Sequence, residues 1–430
     1  MWKQSELTWA DPISYASGLS KDIEYWALLY SGQQLHYTGE RSFLALLPEK
    51  HVYGKSLNIF KYSLKNNLPE FENAWFGYIG YELGLYKNNL YSLELPSSQL
   101  PPLWMILYRI ILEFNHKNQK VSAYVADNEA IPYIPKPEKA NDIKPKISEI
   151  KSNMTRLEYE DSVRKILLAI KAGSVYQANL TRKFYGRITQ PIDPVGLFNR
   201  LNKKNPACYS SLLRYKENYI ISCSPERFLK ISPNGTMNTR PIKGSAFRSK
   251  DKTTDKKEQF NLYKNKKDRA ENLMIVDLAR NDIGQASVIG SVAVDEMFSV
   301  SSHTNIHHLS SSISSQKRSD VSSLEAVELC FPPGSMTGAP KIAAIKLCEE
   351  LEKYNRGVYS GSIGWFGGDS SADLSVVIRT ILLNGINFEF QTGGGIVSES
   401  TPEIEFEETM IKIAALAEAM SIPLNLLRKL

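Results

Sequence analysis

Residues 155–184 read TRLEYEDSVRKILLAIKAGSVYQANLTRKF, and the two halves of this stretch follow different periods. In the first half Thr155 and Glu158 have the spacing of a capping box. Tyr159, Val163, Ile166, Leu167 and Ile170 then form one apolar stripe, and Gly173 ends the helix. In the second half the period drops to two: Tyr176, Ala178 and Leu180 fall on one face, while Gln177, Asn179 and Thr181 fall on the other, a polar row able to line a cleft. Working outward, residues 131–150 (IPYIPKPEKANDIKPKISEI) are rich in Pro and Lys and read as an exposed connection. Residues 1–130 read as short strands and turns with aromatics such as NAWFGYIGYELG. Residues 151–430 mix helices and strands without regular βαβ spacing. The expectation is an α+β fold with a mostly antiparallel sheet, divided into 1–130, a linker at 131–150, and 151–430.

A chain of 430 residues with 42% apolar content can bury a large core. The formal charge of +6 comes from interspersed signs, which suits small anionic substrates and argues against nucleic acid. The basic tract Lys250–Arg269 is broken by Asp251, Asp255, Glu258 and Asp268 and reads as a solvated face. Cys208, Cys223, Cys330 and Cys348 form no CxxC pair, and the first residues lack a basic segment followed by an apolar run. No stretch is apolar enough for a membrane helix, so the expectation is a reduced, cytoplasmic protein with no membrane partner.

Two carboxylate pairs stand at i, i+3: Asp268 with Glu271, and Glu405 with Glu408. On helices each pair shares a face, and two such faces meeting would offer hard oxygens to a cation such as Mg²⁺, although a solvated helix face is the commoner use of either alone. Gly393-Gly394-Gly395 follows the strand-like INFEFQT and suits either close approach of a ligand or a tight turn. Arg379 interrupts the apolar run LSVVIRTILL and needs an anionic partner, from substrate or protein. Lys243 in TRPIKGSAFR becomes a nucleophile only if its charge is suppressed, whereas most lysines are simply solvated. Glu226 in SPERFL serves either as a general acid or in an ion pair with Arg227 or Arg240, and His308 either contacts a substrate or is structural.

Taken in order, YQANLTRKF, SPERFL, TRPIKGS, DRAENLMIVDLARNDIG, HHL, FPPGSMTGAPK, RGVYSGSIGWF, GGGIV and PEIEFEET resemble the signature segments of the chorismate-utilising enzymes, over about residues 173–411. The resemblance implies one large fold in which two sheets form a sandwich flanked by helices, with both parts of the chain contributing. It implies Mg²⁺ held by Glu271 and Glu408, with Asp268 and Glu405 beside them. It further implies chorismate bound by Gly244, Ser245, His308, Tyr359, Arg379, Gly393, Gly394, Gly395 and Gln177, with Glu226 protonating the departing C4 hydroxyl.

Lys243 separates subfamilies: members forming aminodeoxychorismate, a precursor of 4-aminobenzoate and folate, carry Lys in P-I-K-G, and anthranilate synthases carry Ala. The implied role is a covalent adduct at C2 that ammonia displaces at C4. Isochorismate-forming relatives place a Lys base where Gln177 stands, so hydration is disfavoured. Ser245 replaces the usual Thr and Phe247 the common Pro. No cysteine has a glutaminase-like setting, so the resemblance implies a separate glutamine amidotransferase subunit as nitrogen donor. Some relatives hold tryptophan in the N-terminal region, but LHYTGERSFLALL lacks their L-L-E-S pattern, and no tryptophan feedback is expected. Two other readings stand beside this one, an anthranilate synthase component and a non-catalytic chorismate-binding or docking protein.

Overall fold

The structure is a computed structural model that describes residues 2–88, 90, 100–126, 134–304 and 306–430. Its architecture turns on one long strand, Leu103–Asn115. This strand pairs along its whole length with Arg41–Gly54; on its other edge the first half pairs with Trp75–Ile79 and the second half with Lys120–Ala126. From this shared strand the sheet continues as two limbs. One runs through Tyr25–Tyr30, Tyr209–Tyr215, Asn218–Ser224, Thr380–Asn384, Asn387–Ile396 and Gln177–Ile188. The other runs through Ser362–Phe366, Ala372–Val376, Arg227–Ile231, Thr236–Arg240 and Ile306–Gln316, which carries Ile242–Phe247 and Ala293–Ser302. Every pairing among the described residues is antiparallel, as the irregular alternation of helices and strands predicts.

The limbs face each other, and helices cover their outer faces, which explains the continuous apolar runs. In Arg41–Gly54, Phe43 and Ala45 enter a core shared with Phe76, Tyr78 and Trp365, while Leu44 and Leu46 enter another with Tyr159, Val163, Phe406 and Met410. A strand buried on both faces has no solvent side to mark with polar residues. The helices Arg156–Lys171, Pro194–Lys204 and Pro402–Ala419 cover the first limb, and Lys266–Gly284 and Ser323–Cys330 the second. No helix among the described residues is long and apolar enough to cross a membrane.

Three local expectations are corrected. Ile147–Ser152, whose first four residues fall in the expected connection, is a strand at the sheet edge, formed by its pairing with Gln177–Ile188. Tyr176, assigned to the apolar face, is 63% exposed and precedes the strand, which starts at Gln177. Arg379 does not interrupt a strand. It sits between Ala372–Val376 and Thr380–Asn384 with φ +52°, where the chain passes from one limb to the other.

Candidate active site

The Thr155–Glu158 capping box forms as the spacing predicts, with each side chain meeting the other's backbone N–H. It starts the helix that packs beside Pro402–Ala419 and brings Tyr159 under the triglycine strand. Gly393–Gly395 is no turn: it lies inside the strand Asn387–Ile396, paired with Thr181, Leu180 and Asn179. Side chains from elsewhere in the chain crowd the space beside the glycines. A Cβ on Gly394 would stand 3.1 Å from Glu405 Oε2, 3.8 Å from a Glu408 oxygen and 3.9 Å from the Tyr159 hydroxyl. A Cβ on Gly395 would stand 2.7 Å from Gln177 Nε2 and 3.0 Å from Lys243 Nζ. Residues distant in the chain thus converge on two successive glycines.

Both carboxylate pairs lie on helices, Asp268 and Glu271 on Lys266–Gly284, Glu405 and Glu408 on Pro402–Ala419, whose Pro402 occupies the first turn. The φ of +90° at Gly244 and its lack of a Cβ let the Asp268 side chain approach; a Cβ there would lie 2.9 Å from it. Burial raises the pKa of Asp268 and Glu271, with Glu408 acting on both in the same direction. Glu405 is raised by burial and by Glu408; one of its oxygens accepts from Ser400 at 2.6 Å, and the other is buried with no partner among the described residues. Glu408 is held low by Lys412, 2.6 Å away, and Lys267 lies 3.8 Å from Glu271. No three Asp, Glu, His or Cys side chains among the described residues form a metal cage by themselves. The donor set of ionisable oxygens, one of them orphaned, fits a hard divalent cation completed by water or substrate oxygens.

Across from these helices, Lys243 on Ile242–Phe247 is partly buried. Its pKa is lowered by desolvation and by Lys412, against the pull of Glu271, Glu408 and Glu226. Glu226 lies in the turn between Asn218–Ser224 and Arg227–Ile231 and is 6% exposed. Burial pushes its pKa up to about 7, opposed by a hydrogen bond from Ser335, the Lys243 charge and the Ile242 N–H. The ion-pair alternative is excluded by geometry: Arg227 pairs with Asp373 at 3.3 Å and Arg240 with Glu296 at 2.6 Å. Arg379 receives 2.8 Å support from Asn205 and is in no ion pair among the described residues. His308 is 3% exposed with neither ring nitrogen partnered, and burial and the Arg379 charge hold its pKa well below the ordinary value, so the imidazole is neutral. Ser245 pairs in register with His308 and is exposed, while Tyr359 is buried, near the Arg356 and Glu352 charges.

Lys412, Ser335 and Asn205 were not singled out by sequence. Lys412 follows Glu408 by one helical turn, a signal that the i, i+4 rule carries. Ser335 and Asn205 sit in loop and helix-end positions where no periodicity applies.

Buried carboxyls, a lysine whose charge burial disfavours, a guanidinium in no ion pair among the described residues and a buried histidine are linked by their mutual electrostatic influence. The chain matches the chorismate binding enzyme family over residues 15–418, and it belongs to that family. Aminodeoxychorismate synthase component 1 of Salmonella typhimurium is 37% identical over 350 residues, 81% of this chain and 76% of that protein. The chloroplastic aminodeoxychorismate synthase of Arabidopsis thaliana is 40% identical over 268 residues, 62% of this chain; the match spans 29% of that longer protein. Anthranilate synthase component I from Streptococcus pneumoniae has the same fold, with a TM-score of 0.77 at 25% identity over 88% of this chain and 92% of that one.

Proposed function

We propose that this protein converts chorismate and ammonia to 4-amino-4-deoxychorismate, on the route to 4-aminobenzoate and folate, with Lys243 as covalent nucleophile and Glu226 as general acid. The observation that carries this reading is Lys243 itself: an amine whose charge burial disfavours, 3.0 Å from the Cβ position of Gly395 and within the electrostatic reach of Glu226.

Neutral Lys243 attacks ring carbon C2, and the C–N bond forms as both ring double bonds shift by one position toward C4 and the C4–O bond breaks. The Glu226 proton goes to the departing oxygen, which leaves as water. Ammonia then bonds to C4, both ring double bonds shift back, the C2–N bond breaks with its electrons returning to Lys243, and the proton shed by the new amine restores Glu226. A carboxyl with its pKa near 7 holds and regains a proton at little cost at neutral pH. Arg379 and the unpartnered His308 are prepared to receive polar groups of the substrate. Glu271 and Glu408, with Asp268 and Glu405 beside them, would hold Mg²⁺, which neutralises and orients the ring carboxylate. Nitrogen would come from a glutamine amidotransferase subunit, with ammonium as substitute.

Purified protein supplied with chorismate, Mg²⁺ and ammonium, with products separated, tests the reading. Aminodeoxychorismate is expected; anthranilate or isochorismate as the sole product would overturn it, as would a Lys243→Ala variant that forms aminodeoxychorismate at the full rate.

A further inference from the structure

The strand Ile242–Phe247 is irregular where its chemistry lies. Ile242 pairs with Ser310 and Ser245 with His308, so an advance of three residues on this strand matches an advance of two on its partner, and the bulge falls at Lys243–Gly244. A bulge leaves its residues out of the ladder and re-aims a side chain, so its shape has to be fixed by the pairing on either side. Downstream that pairing is short, Ser245 to Phe247 against His308 to Ile306, and the chain then leaves the sheet. The end is fastened by Asp255, one of the acidic residues that break the basic tract, in the first turn of the helix Lys252–Lys264. Its Oδ1 accepts from the Ser249 N–H and from His307 Nε2, each at 3.0 Å, and its Oδ2 accepts from Arg248 at 2.8 Å. Arg248 also donates to the His303 carbonyl at 2.9 Å, and the Ser302 hydroxyl meets His307 Nδ1 at 2.9 Å. Arg248, ahead of His307 and the Ser249 N–H, holds the pKa of Asp255 down to about 2, so at neutral pH it can only accept. His307, 1% exposed, is then satisfied as a neutral ring, donating from Nε2 and accepting at Nδ1. The helix has little else to hold it at this end, since Leu262, near its other end, is its one buried residue.

We propose that Asp255 is a positioning residue for the reaction: its clasp on Arg248, Ser249 and His307 fixes the downstream end of the bulge and so holds the Lys243 amine toward the triglycine strand. This deepens the functional reading above and rests on Lys243 as the nucleophile. The clasp ties together the helix, the end of the strand that carries Lys243, and the strand that carries His308. With it in place Lys243 Nζ stands 3.0 Å from the Cβ position of Gly395. A nucleophile displaced by about 1 Å loses about 10²-fold in rate, while substrate contacts made by other elements stay where they are.

Steady-state kinetics with ammonium as nitrogen source test this, with urea unfolding beside them to show that each variant is folded under assay conditions. Asp255→Ala should lower kcat about 10²-fold and leave KM for chorismate within about twofold of wild type. Asp255→Asn, whose amide oxygen still accepts from the Ser249 N–H and His307, should recover kcat to within about tenfold of wild type. His307→Phe fills the same space without the tie to Asp255 and should reproduce the Asp255→Ala loss, and the two changes together should cost no more than either alone. With Lys243→Ala inactive, a folded Asp255→Ala that keeps kcat within about twofold of wild type, or that raises KM while kcat is unchanged, overturns the clasp alone. Losses that multiply in the double variant overturn it too, because they would arise by separate routes. Should Asp255→Ala not fold, the same criteria applied to His307→Phe decide. A Lys243→Ala variant at the full rate removes the functional reading itself, and the clasp with it.

Discussion

Two buried groups of charges lie close together in this molecule and are treated in opposite ways. Glu352 and Arg356, 3% and 1% exposed, are fully matched. Two guanidinium nitrogens meet the two carboxylate oxygens at 2.7 and 2.9 Å, the carbonyls of Met336 and Asn179 and the Ser360 hydroxyl oxygen take the remaining donors, the Thr181 N–H is accepted at 2.8 Å, and Tyr81 lies 4.5 Å beneath the guanidinium. Among the candidate site residues the accounting is left open. One oxygen each of Gln177 and Glu405 and both nitrogens of His308 have no partner among the described residues, and Arg379 has an amide where a carboxylate would fit. Desolvated polar groups are costly unless satisfied, so the first group secures the join between loop and strand, while the second leaves that cost unmet within the described residues.

That contrast breaks first at Glu226. Glu226→Gln keeps size and polarity but removes the proton, and kcat should fall about 10²–10⁴-fold with KM for chorismate little changed, as steady-state kinetics would register. Next is stability. Arg356→Met leaves Glu352 buried without its partner and should cost about 3–5 kcal/mol in urea unfolding, whereas Arg379→Met should leave the fold as stable as before or more so while raising KM. Equal destabilisation by both would erase the distinction between the two groups.

The pH dependence sharpens it. Glu226 has its pKa raised from 4.5 to about 7, so between these values the folded protein binds more proton than the unfolded chain, and stability falls as pH rises through this window. Glu226→Gln should therefore gain on the order of 2–3 kcal/mol over wild type at pH 8 and little at pH 4, read from unfolding midpoints. A gain at low pH instead would mean that the carboxylate is stabilising. The smallest effect is expected from Gly395→Ala. The added methyl meets the ends of two flexible side chains, Gln177 and Lys243, so the fold should lose no more than about 1–3 kcal/mol while chorismate binding weakens, a combination that calorimetry and a thermal scan separate.

The sequence by itself determined what depends on spacing along the chain. The capping box at Thr155 and Glu158, the i, i+3 carboxylate pairs on two helices, the antiparallel α+β character and the polar row beginning at Gln177 are all local in origin. Tyr176 and Ile147–Ser152 escaped that reading because strand ends and edge strands are set by their partners in the sheet. Only the tertiary structure decided which groups go unpartnered. Whether Glu226 faces Arg227, Arg240 or an empty cavity depends on Asp373 and Glu296, residues far from it in sequence, claiming those two arginines first. Likewise, what makes Lys243 a candidate nucleophile is the desolvation and the Lys412 charge that the folded chain brings to it, and neither is written in the residues beside it.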